Sequence, residues 1–399
     1  MNPLVVFFLA MAIAGVADKF LGGRFGLMAS FENGTKMMAE LILYVPGIYC
    51  IACTVSAQYA EELTAATSGW IFDPSLIFGG LLATDLGGYS LSMLTASSDV
   101  MGRFSGISLA GTIGALISFY LPVYLSTVKG KDADHMILGF TYGVICLPVT
   151  LAASALLLGM TASELAGAMV PVIILCAALA VGIFKAKRAT IGALTVFGRA
   201  VTLFLFGTSA VVIVGIFIPS FALVDEALAW ESVVMVAKMG FTIAGSLITV
   251  NILSKIFARQ LNKLSKKLGI NEWSIMGMLI GLPGGIAMLP LFAKMDRRGQ
   301  ILNGAFAVSG HYILGGQMAY LAANEDMNGM LVYFFVKLSG GILSVIVAGL
   351  IETMRQKRSA LKEGRANAAN AAAAENTAPA DEIPAADEAP ADELHADKA

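Results

Sequence analysis

The sequence predicts an all-α polytopic membrane protein, and three observations support this. Hydrophobic residues make up 57% of the 399 residues and charged residues only 14%, whereas a soluble domain has about 25% charged residues. The apolar residues come in runs of about 20, the length of helix that spans a bilayer core. Glycine pairs occur within several of these runs, among them residues 75–95 and 273–293. The net charge of −2 gives no indication of a nucleic-acid partner.

Eleven apolar runs are candidate membrane segments. The first has no basic region before it, so we expect a membrane helix there rather than a cleaved signal peptide. The runs are Pro3–Ala17, Leu41–Tyr59, Ser75–Thr95, Ser105–Val128, Met136–Gly159, Ala166–Phe184, Ala200–Ile218, Val233–Ser254, Trp273–Ala293, Ile301–Leu321 and Met330–Ile351.

Charges in the loops predict which ends of these runs face the cytoplasm. Lys and Arg cluster in residues 185–199, 255–267 and 355–362, and basic loops of membrane proteins stay inside. The loops on the opposite side lack Lys and Arg and carry acidic residues instead. We therefore predict an external amino terminus and a cytoplasmic carboxy-terminal tail.

The number of runs between these loops requires two hairpins. Two runs separate the external loop near Glu61 from the basic loop Lys129–Lys131, and two separate the basic loop 255–267 from the acidic loop 325–326. An even number of spans cannot join opposite sides of a membrane. One run of each pair must therefore enter and leave on the same side.

The glycine pairs identify these two runs. Gly87–Gly88 and Gly284–Gly285 divide residues 75–95 and 273–293 into short halves. A helix of about ten residues reaches only ~15 Å, half of a bilayer core. The 10–11 apolar segments therefore predict about nine spanning helices and two re-entrant hairpins.

An internal repeat agrees with this arrangement. A shift of 197 residues superimposes the two glycine pairs and gives nine identities between residues 77 and 110. We therefore predict two membrane repeats of opposite orientation, 1–165 and 200–355, joined by a linking helix and basic cytoplasmic loop at 166–199. Inverted repeats that meet at broken helices favour alternating access around a central site. The acidic Ala/Pro-rich segment 356–399 is predicted to be a disordered cytoplasmic tail.

Asp85 is the strongest candidate functional residue. It lies in the middle of an apolar run, and a carboxylate at membrane depth is costly and rarely present without a function. Two interpretations are open, because Asp85 can bind a substrate or can cap the broken helix. The neighbouring residues predicted to belong to the substrate site are Thr84, Gly87, Gly88, Tyr89 and Ser90.

The second repeat contributes further candidates to the substrate site. His311 lies in an apolar run, where it is either a proton-relay or ligand group or a core donor with satisfied hydrogen bonds. The other residues predicted to line the site from this repeat are Gly284, Gly285, Ser309 and Gln317.

Charged residues at the hairpin ends are candidates for gates. Asp296, Arg297 and Arg298 follow the second hairpin. They either anchor its cytoplasmic end or form an inner gate. Asp99 and Arg103 follow the first hairpin and would form the corresponding outer gate.

Four stretches of the sequence resemble a known family. They are Leu81–Gly88, 294–309, Leu321–Asn324 and Lys337–Gly341, and they resemble the ethanolamine permeases of ethanolamine-utilisation operons. The resemblance implies a transporter rather than an enzyme, located in a bacterial inner membrane, with the lipid bilayer and a small amine as its partners. It implies no catalytic residue, metal or cofactor.

The candidate site suits an amine substrate. Ethanolamine is cationic near neutral pH, and a dehydrated ammonium at membrane depth needs a counter-charge, which Asp85 can supply. Tyr89 could offer its ring to the cation, and Thr84 and Ser90 could bond a hydroxyl. A passive channel and a carrier of a different small metabolite are the alternatives, and the sequence leaves a homo-oligomer open.

Overall fold

The computed structural model describes residues 3–67, 69–324 and 327–376, and the regular secondary structure of these residues is helical. The α-helices are α1 (Pro3–Phe20), α2 (Met28–Leu41), α3 (Val45–Gln58), α4 (Ala60–Thr67), α5 (Ser75–Leu81), α6 (Gly88–Thr95), α7 (Asp99–Arg103), α8 (Leu121–Thr127), α9 (Gly130–Leu157), α10 (Ala162–Lys185), α11 (Lys187–Phe217), α12 (Glu226–Ile256), α13 (Ala258–Leu268), α14 (Glu272–Gly281), α15 (Leu289–Phe292), α16 (Arg297–Gly310), α17 (Gly316–Ala323) and α18 (Met327–Asn376). Short 3₁₀-helices cover Thr84–Leu86, Pro219–Phe221 and Gly285–Met288, and π-helical stretches cover Phe104–Gly114 and Leu116–Tyr120.

The prediction of a polytopic all-α membrane protein is confirmed. Among the described residues, seven helices are long and apolar enough to cross a bilayer, or eight if α2 and α3, which bend by 50° at their junction, form one span. One of these spans runs without a break from the start of α7 to the end of α8 and includes both π-helical stretches. The seven are Pro3–Phe20, Asp99–Thr127, Gly130–Leu157, Ala162–Lys185, Lys187–Phe217, Glu226–Ile256 and Met327–Arg365.

Side-chain caps fix where several of these helices begin. Thr161 and Glu164 form a capping box at the start of α10, and Asp225 accepts hydrogen bonds from the first turn of α12. Such caps satisfy backbone N–H groups that have no partner inside the helix.

The two ends of the first glycine-containing hairpin meet at one carboxylate. Asp73 precedes α5 and accepts a hydrogen bond from the backbone N–H of Ser75 (3.0 Å). It also accepts one from the backbone N–H of Ser97 (2.9 Å), which follows α6. The chain therefore enters and leaves this hairpin at the same level.

The second hairpin is closed in a similar way. Asp296 follows α15, and its carboxylate accepts hydrogen bonds from the backbone N–H of Asn271 (2.8 Å) and the hydroxyl of Ser274 (3.0 Å). Asn271 donates in return to the backbone carbonyl of Lys294 (2.8 Å). Both ends of the segment from α14 to α15 are thereby held together.

The helix boundaries coincide under the 197-residue shift that the sequence suggests. Ser75 and Gly130, which begin α5 and α9, shift onto the first residues of α14 and α18, Glu272 and Met327. The last residue of α1 likewise shifts onto the last residue of α11. The α10 helix lies between the elements that precede it, here called the first set, and those that follow it, the second set.

The two sets differ in where their long helices break. The expectation of one uninterrupted segment over Ile301–Leu321 is wrong, because α16 ends at Gly310 and α17 begins at Gly316. Conversely, the first set breaks between α2 and α3, where its counterpart α12 is continuous.

The segment that joins the two sets is more helical than expected. The sequence suggested a basic loop within 166–199, but α10 ends at Lys185 and α11 begins at Lys187. Thr190 follows in α11, and its backbone N–H is bonded to the carbonyl of Ala186 (2.9 Å). The basic residues of this region therefore lie mostly on helix ends.

Facing glycines bring α9 and α16 into close contact. A Cβ added to Gly304 would lie 2.6 Å from the carbonyl oxygen of Met136 and 3.2 Å from the Cα of Gly139. Small residues let membrane helices approach at this distance. The largest apolar core forms around this pair, with members that include Phe104 and Phe140.

The carboxy-terminal region extends further as helix than the sequence suggested. Residues 1–350 form one compact unit, and a second unit begins at Ile351. Within the second unit α18 continues to Asn376, whereas disorder was expected over 356–399. The rest of the predicted tail, 377–399, lies outside the described residues.

Candidate functional site

The break in the first hairpin positions Asp85. Thr84–Leu86 form a 3₁₀ turn between α5 and α6, and Gly87 leaves this turn with a φ of +94°, a conformation that favours glycine. The Asp85 side chain is half-buried. A Cβ added to Gly316, the first residue of α17, would lie only 2.6 Å from its Oδ2 atom.

The contacts of Asp85 do not resemble those of a helix cap. The helix that follows, α6, has no side-chain cap. Within the described part of the chain, the only hydrogen bond to the Asp85 carboxylate comes from the residue's own backbone N–H. The remaining acceptor capacity of this carboxylate is available to a ligand.

A second break lies beside the first. Tyr312, just after α16, has a φ of 60°. Its backbone N–H bonds the carbonyl of Gly281 (3.0 Å), and the N–H of Leu314 bonds the carbonyl of Leu282 (2.9 Å). Unwound backbone at membrane depth is tolerated when protein groups satisfy it in this way. Gly316 ends this break and brings it against Asp85.

Lys337 places a buried amine at the same site. It lies in α18, and its side chain is fully buried, with 0% of its surface exposed. Its Nζ atom donates to the backbone carbonyl of Gly111 (2.8 Å), the hydroxyl of Tyr120 (3.3 Å) and Oε1 of Gln317 (3.3 Å). It also lies 5.6 Å and 5.7 Å from the ring centres of Tyr120 and Tyr333.

Gln317 connects the groups around Lys337. Its Oε1 accepts a hydrogen bond from the hydroxyl of Tyr333 (2.9 Å) as well as from Lys337, and its Nε2 donates to the hydroxyl of Tyr120 (3.3 Å). Tyr120 in turn stacks on Tyr312, with ring centres 5.2 Å apart. The predicted site residue Gln317 thus lies at the centre of a buried polar network.

Asp85 and Lys337 interact electrostatically across this network. They do not form a direct ion pair within 4.0 Å. Asp85 also lies within electrostatic range of the hydroxyls of Tyr120, Tyr312 and Tyr333. The site therefore combines one carboxylate and one ammonium with several tyrosines between them.

His311 lies in an adjoining buried cluster. Its Nδ1 is 2.8 Å from the hydroxyl of Tyr124, and its Nε2 has no hydrogen-bond partner within the described residues. A Cβ added to Gly285 would overlap the hydroxyl of Tyr124 and lie 2.6 Å from Nδ1, so the glycine makes room for this hydrogen-bonded pair. The backbone carbonyl of His311 accepts a bond from Tyr120 (3.4 Å), which joins this cluster to that of Lys337.

The other predicted substrate-site residues are distributed around these two clusters. Ser90 is already engaged, because its hydroxyl lies 2.6 Å from that of Tyr320. The ring of Tyr89 packs edge-on against the same tyrosine. The buried hydroxyls of Thr84 and Ser309 have no partner in the described residues. Gly88 closes the first turn, and its N–H bonds the carbonyl of Ala83 (2.9 Å).

Gly284 lies on the second hairpin, in open space. A Cβ on Gly284 would have one neighbour within 4 Å, the terminal methyl of Met37 at 3.6 Å. The open space at this position contrasts with the tight packing at Gly285.

The predicted gate residues make structural contacts at the hairpin ends. Asp296 accepts from the N–H of Gly299 (3.2 Å) and caps α16. Arg298 donates to the carbonyls of Leu268 (2.8 Å) and Gly349 (3.0 Å). Asp99 pairs with Arg103 at 2.8 Å, and the Asp99 side chain is exposed whereas that of Arg103 is only 26% exposed. Arg297 begins α16.

Lys337 is not among the site residues predicted from the sequence, although a signal for it is present. This lysine lies inside the apolar run Met330–Ile351, and the rule that singles out Asp85 applies equally to a lysine at membrane depth.

No group of three or more His, Cys, Asp or Glu side chains in the described residues is placed to hold a metal ion.

Comparison with known proteins identifies the family. Residues 1–351 match the sequence profile described as "Ethanolamine utilisation protein, EutH". The chain belongs to this family. As an EutH-family member with several apolar helices of spanning length, it is a multi-pass integral membrane protein.

Relatives match nearly the whole chain, and some of them are named as permeases. A Listeria monocytogenes protein named "Probable ethanolamine permease EutH" is 29% identical over 369 residues, which cover 91% of this chain and 97% of the relative. A Salmonella typhimurium protein of the same name is 26% identical over 397 residues, covering 88% and 94%. The Bacillus subtilis "Uncharacterized protein YxeR" is 28% identical over 377 residues, covering 93% and 99%. No solved structure matches this chain.

Proposed function

We propose that this EutH-family protein is a permease of the bacterial inner membrane that binds a small amine cation, ethanolamine, at Asp85. The observation that carries this proposal is a carboxylate in a helix break that, among the described residues, accepts a hydrogen bond from its own backbone and from no other residue. A dehydrated ammonium at membrane depth needs such a counter-charge. The names of the relatives from Listeria and Salmonella support ethanolamine as the amine.

The transport cycle that we propose is alternating access between two inverted repeats. In this arrangement nine spanning helices surround two re-entrant hairpins, and the hairpins meet at the site. Support comes from Asp73 and Asp296, each of which holds the two ends of one hairpin. The coincidence of helix boundaries under the 197-residue shift supports two repeats. Broken helices at a repeat interface are a common site of substrate binding in transporters.

The test is a ligand screen on the purified protein. Ethanolamine should raise the thermal unfolding midpoint, whereas ethylene glycol, which has no amine, and glycolate, which is an anion, should not. Uptake into proteoliposomes should saturate with ethanolamine concentration. Stabilisation by ethylene glycol equal to that by ethanolamine would contradict an ammonium site. Uptake that never saturates would favour a channel over a carrier.

A further inference from the structure

The charges of the buried site already cancel before a substrate binds. Asp85 contributes a carboxylate, and the three acceptor oxygens around the fully buried Nζ of Lys337 match the three donors of an ammonium. Among the described residues, His311, Tyr120 and Tyr333 are titratable groups close to Lys337. The carboxylate of Glu40 interacts with Tyr312 of the same network, but Glu40 is exposed and therefore screened by solvent. A histidine is neutral or positive, so it adds no negative charge.

Binding an amine cation to this site would upset that balance. With Asp85 and Lys337 both ionised, the loaded site would carry one uncompensated positive charge inside the membrane. Such a charge is strongly disfavoured in a low-dielectric environment. The proposed function, on which this inference rests, therefore requires a positive charge to leave when the amine arrives.

The contacts of Lys337 suit both the ammonium and the neutral amine. An ammonium has three N–H donors, and three oxygens accept them, from Gly111, Gln317 and Tyr120. A neutral amine has two donors and one lone pair. The carbonyl oxygens of Gly111 and Gln317 can only accept, but the hydroxyl of Tyr120 can also donate.

Tyr120 has an alternative acceptor for its proton. Its hydroxyl donates to the backbone carbonyl of His311 at a long distance, 3.4 Å. Rotation about the C–O bond turns the hydroxyl hydrogen toward Nζ of Lys337, 3.3 Å away. Loss of a proton from Lys337 therefore leaves no polar atom of this amine without a partner, and no side chain has to move.

We propose that Lys337 releases a proton when an amine cation binds at Asp85, so that the permease exchanges the amine for a proton without moving net charge. One N–H bond of the ammonium breaks, its electron pair stays on Nζ, and the proton passes to water on the side to which the site is open. After the amine leaves on the other side, Lys337 takes a proton from the water there.

Proton release can be measured by isothermal titration calorimetry of the purified full chain. Ethanolamine is titrated at neutral pH in buffers of different ionisation enthalpy, which gives the number of protons released per amine bound. Wild type should release one proton. Lys337→Gln and Lys337→Met should still bind the amine and release none, because the loaded site is then neutral without proton loss. Lys263→Gln, a change of an exposed lysine in α13, should behave as wild type.

Three outcomes would overturn the inference. Binding to wild type without proton release would show that Lys337 keeps its charge, and this result does not depend on whether the variants fold. Release of one proton by both Lys337 variants would show that the amine itself sheds the proton. Absence of any amine binding to wild type would instead overturn the proposed function, and the inference with it.

Discussion

The ammonium group of Lys337 donates a hydrogen bond of 2.8 Å to the backbone carbonyl of Gly111. This bond joins α18, in the second half of the fold, to a π-helical stretch in the first half. π-Helical turns are rare and often occur at functional sites. The contact brings the amine of Lys337 within electrostatic range of Asp85.

Gly316 should be essential because it leaves room beside Asp85. Gly316→Ala would place a Cβ 2.6 Å from Oδ2 of Asp85, which is closer than a carbon and an oxygen can pack. The carboxylate must then move from its position, so we expect at least a tenfold weaker ethanolamine affinity, about 1.4 kcal/mol. Thermal-shift titration measures this.

The matched control for this change is Gly207→Ala. Gly207 lies in α11, and an added Cβ there meets nothing within 4 Å. Its affinity for ethanolamine should equal that of wild type. Equal affinities for Gly316→Ala and Gly207→Ala would show that the space beside Asp85 does not matter for binding.

Asp296 should matter for stability rather than for gating. Its carboxylate accepts hydrogen bonds from two backbone N–H groups, of Asn271 and Gly299, and from the hydroxyl of Ser274. Asp296→Ala leaves the two backbone N–H groups without this acceptor, whereas the hydroxyl of Ser274 keeps Oδ1 of Asn271 (2.7 Å). We expect a loss of roughly 2–3 kcal/mol. The thermal unfolding midpoint of the purified variant should fall accordingly.

Asp99→Ala provides the comparison, since Asp99 makes an exposed ion pair with Arg103. Such pairs contribute about 0–1 kcal/mol, so its midpoint should barely change. A normal midpoint for Asp296→Ala together with lost uptake would favour the inner-gate interpretation instead.

The membrane topology can be tested with single cysteines at the ends of the hairpins. Ser98 follows the first hairpin and Lys294 follows α15. We expect Ser98→Cys to react with an impermeant thiol reagent from outside and Lys294→Cys only from the cytoplasm, because each hairpin returns to its own side. Native cysteines are removed first, since the chain has four. Labelling of Ser98→Cys from the cytoplasm would exclude the inverted arrangement.

The sequence predicts much of the fold because membrane helices follow a simple rule. Apolar runs mark the spans, and the glycine pairs at 87–88 and 284–285 mark the breaks, because backbone conformation there depends on residues close in sequence. The break after α16 also ends at a glycine pair, Gly315–Gly316, but the pair Gly340–Gly341 lies inside the continuous helix α18, so a glycine pair alone does not predict a break. His311 and Tyr312 have no strong helix-breaking tendency, and the unwound backbone is stabilised by Gly281 and Leu282, which are distant in sequence.

The candidate site is only partly predictable for a related reason. Asp85 and Gln317 could be selected from their chemistry and position in apolar runs. The pairing of Gln317 with Tyr333, Tyr120 and Lys337 depends on which helix faces meet. The engagement of Ser90 by Tyr320 is likewise a tertiary contact. Sequence spacing alone does not reveal either arrangement.

The ethanolamine affinity of the Asp85→Asn variant shows whether Asp85 is the counter-ion of the bound amine. Asparagine keeps the size of the side chain and its capacity to cap a helix, but it removes the charge. If Asp85 is the counter-ion of the bound ammonium, the loss is of order 3–5 kcal/mol, which is more than a hundredfold in affinity. We predict that loss in purified protein with a near-normal unfolding midpoint. Wild-type affinity in Asp85→Asn would contradict the account.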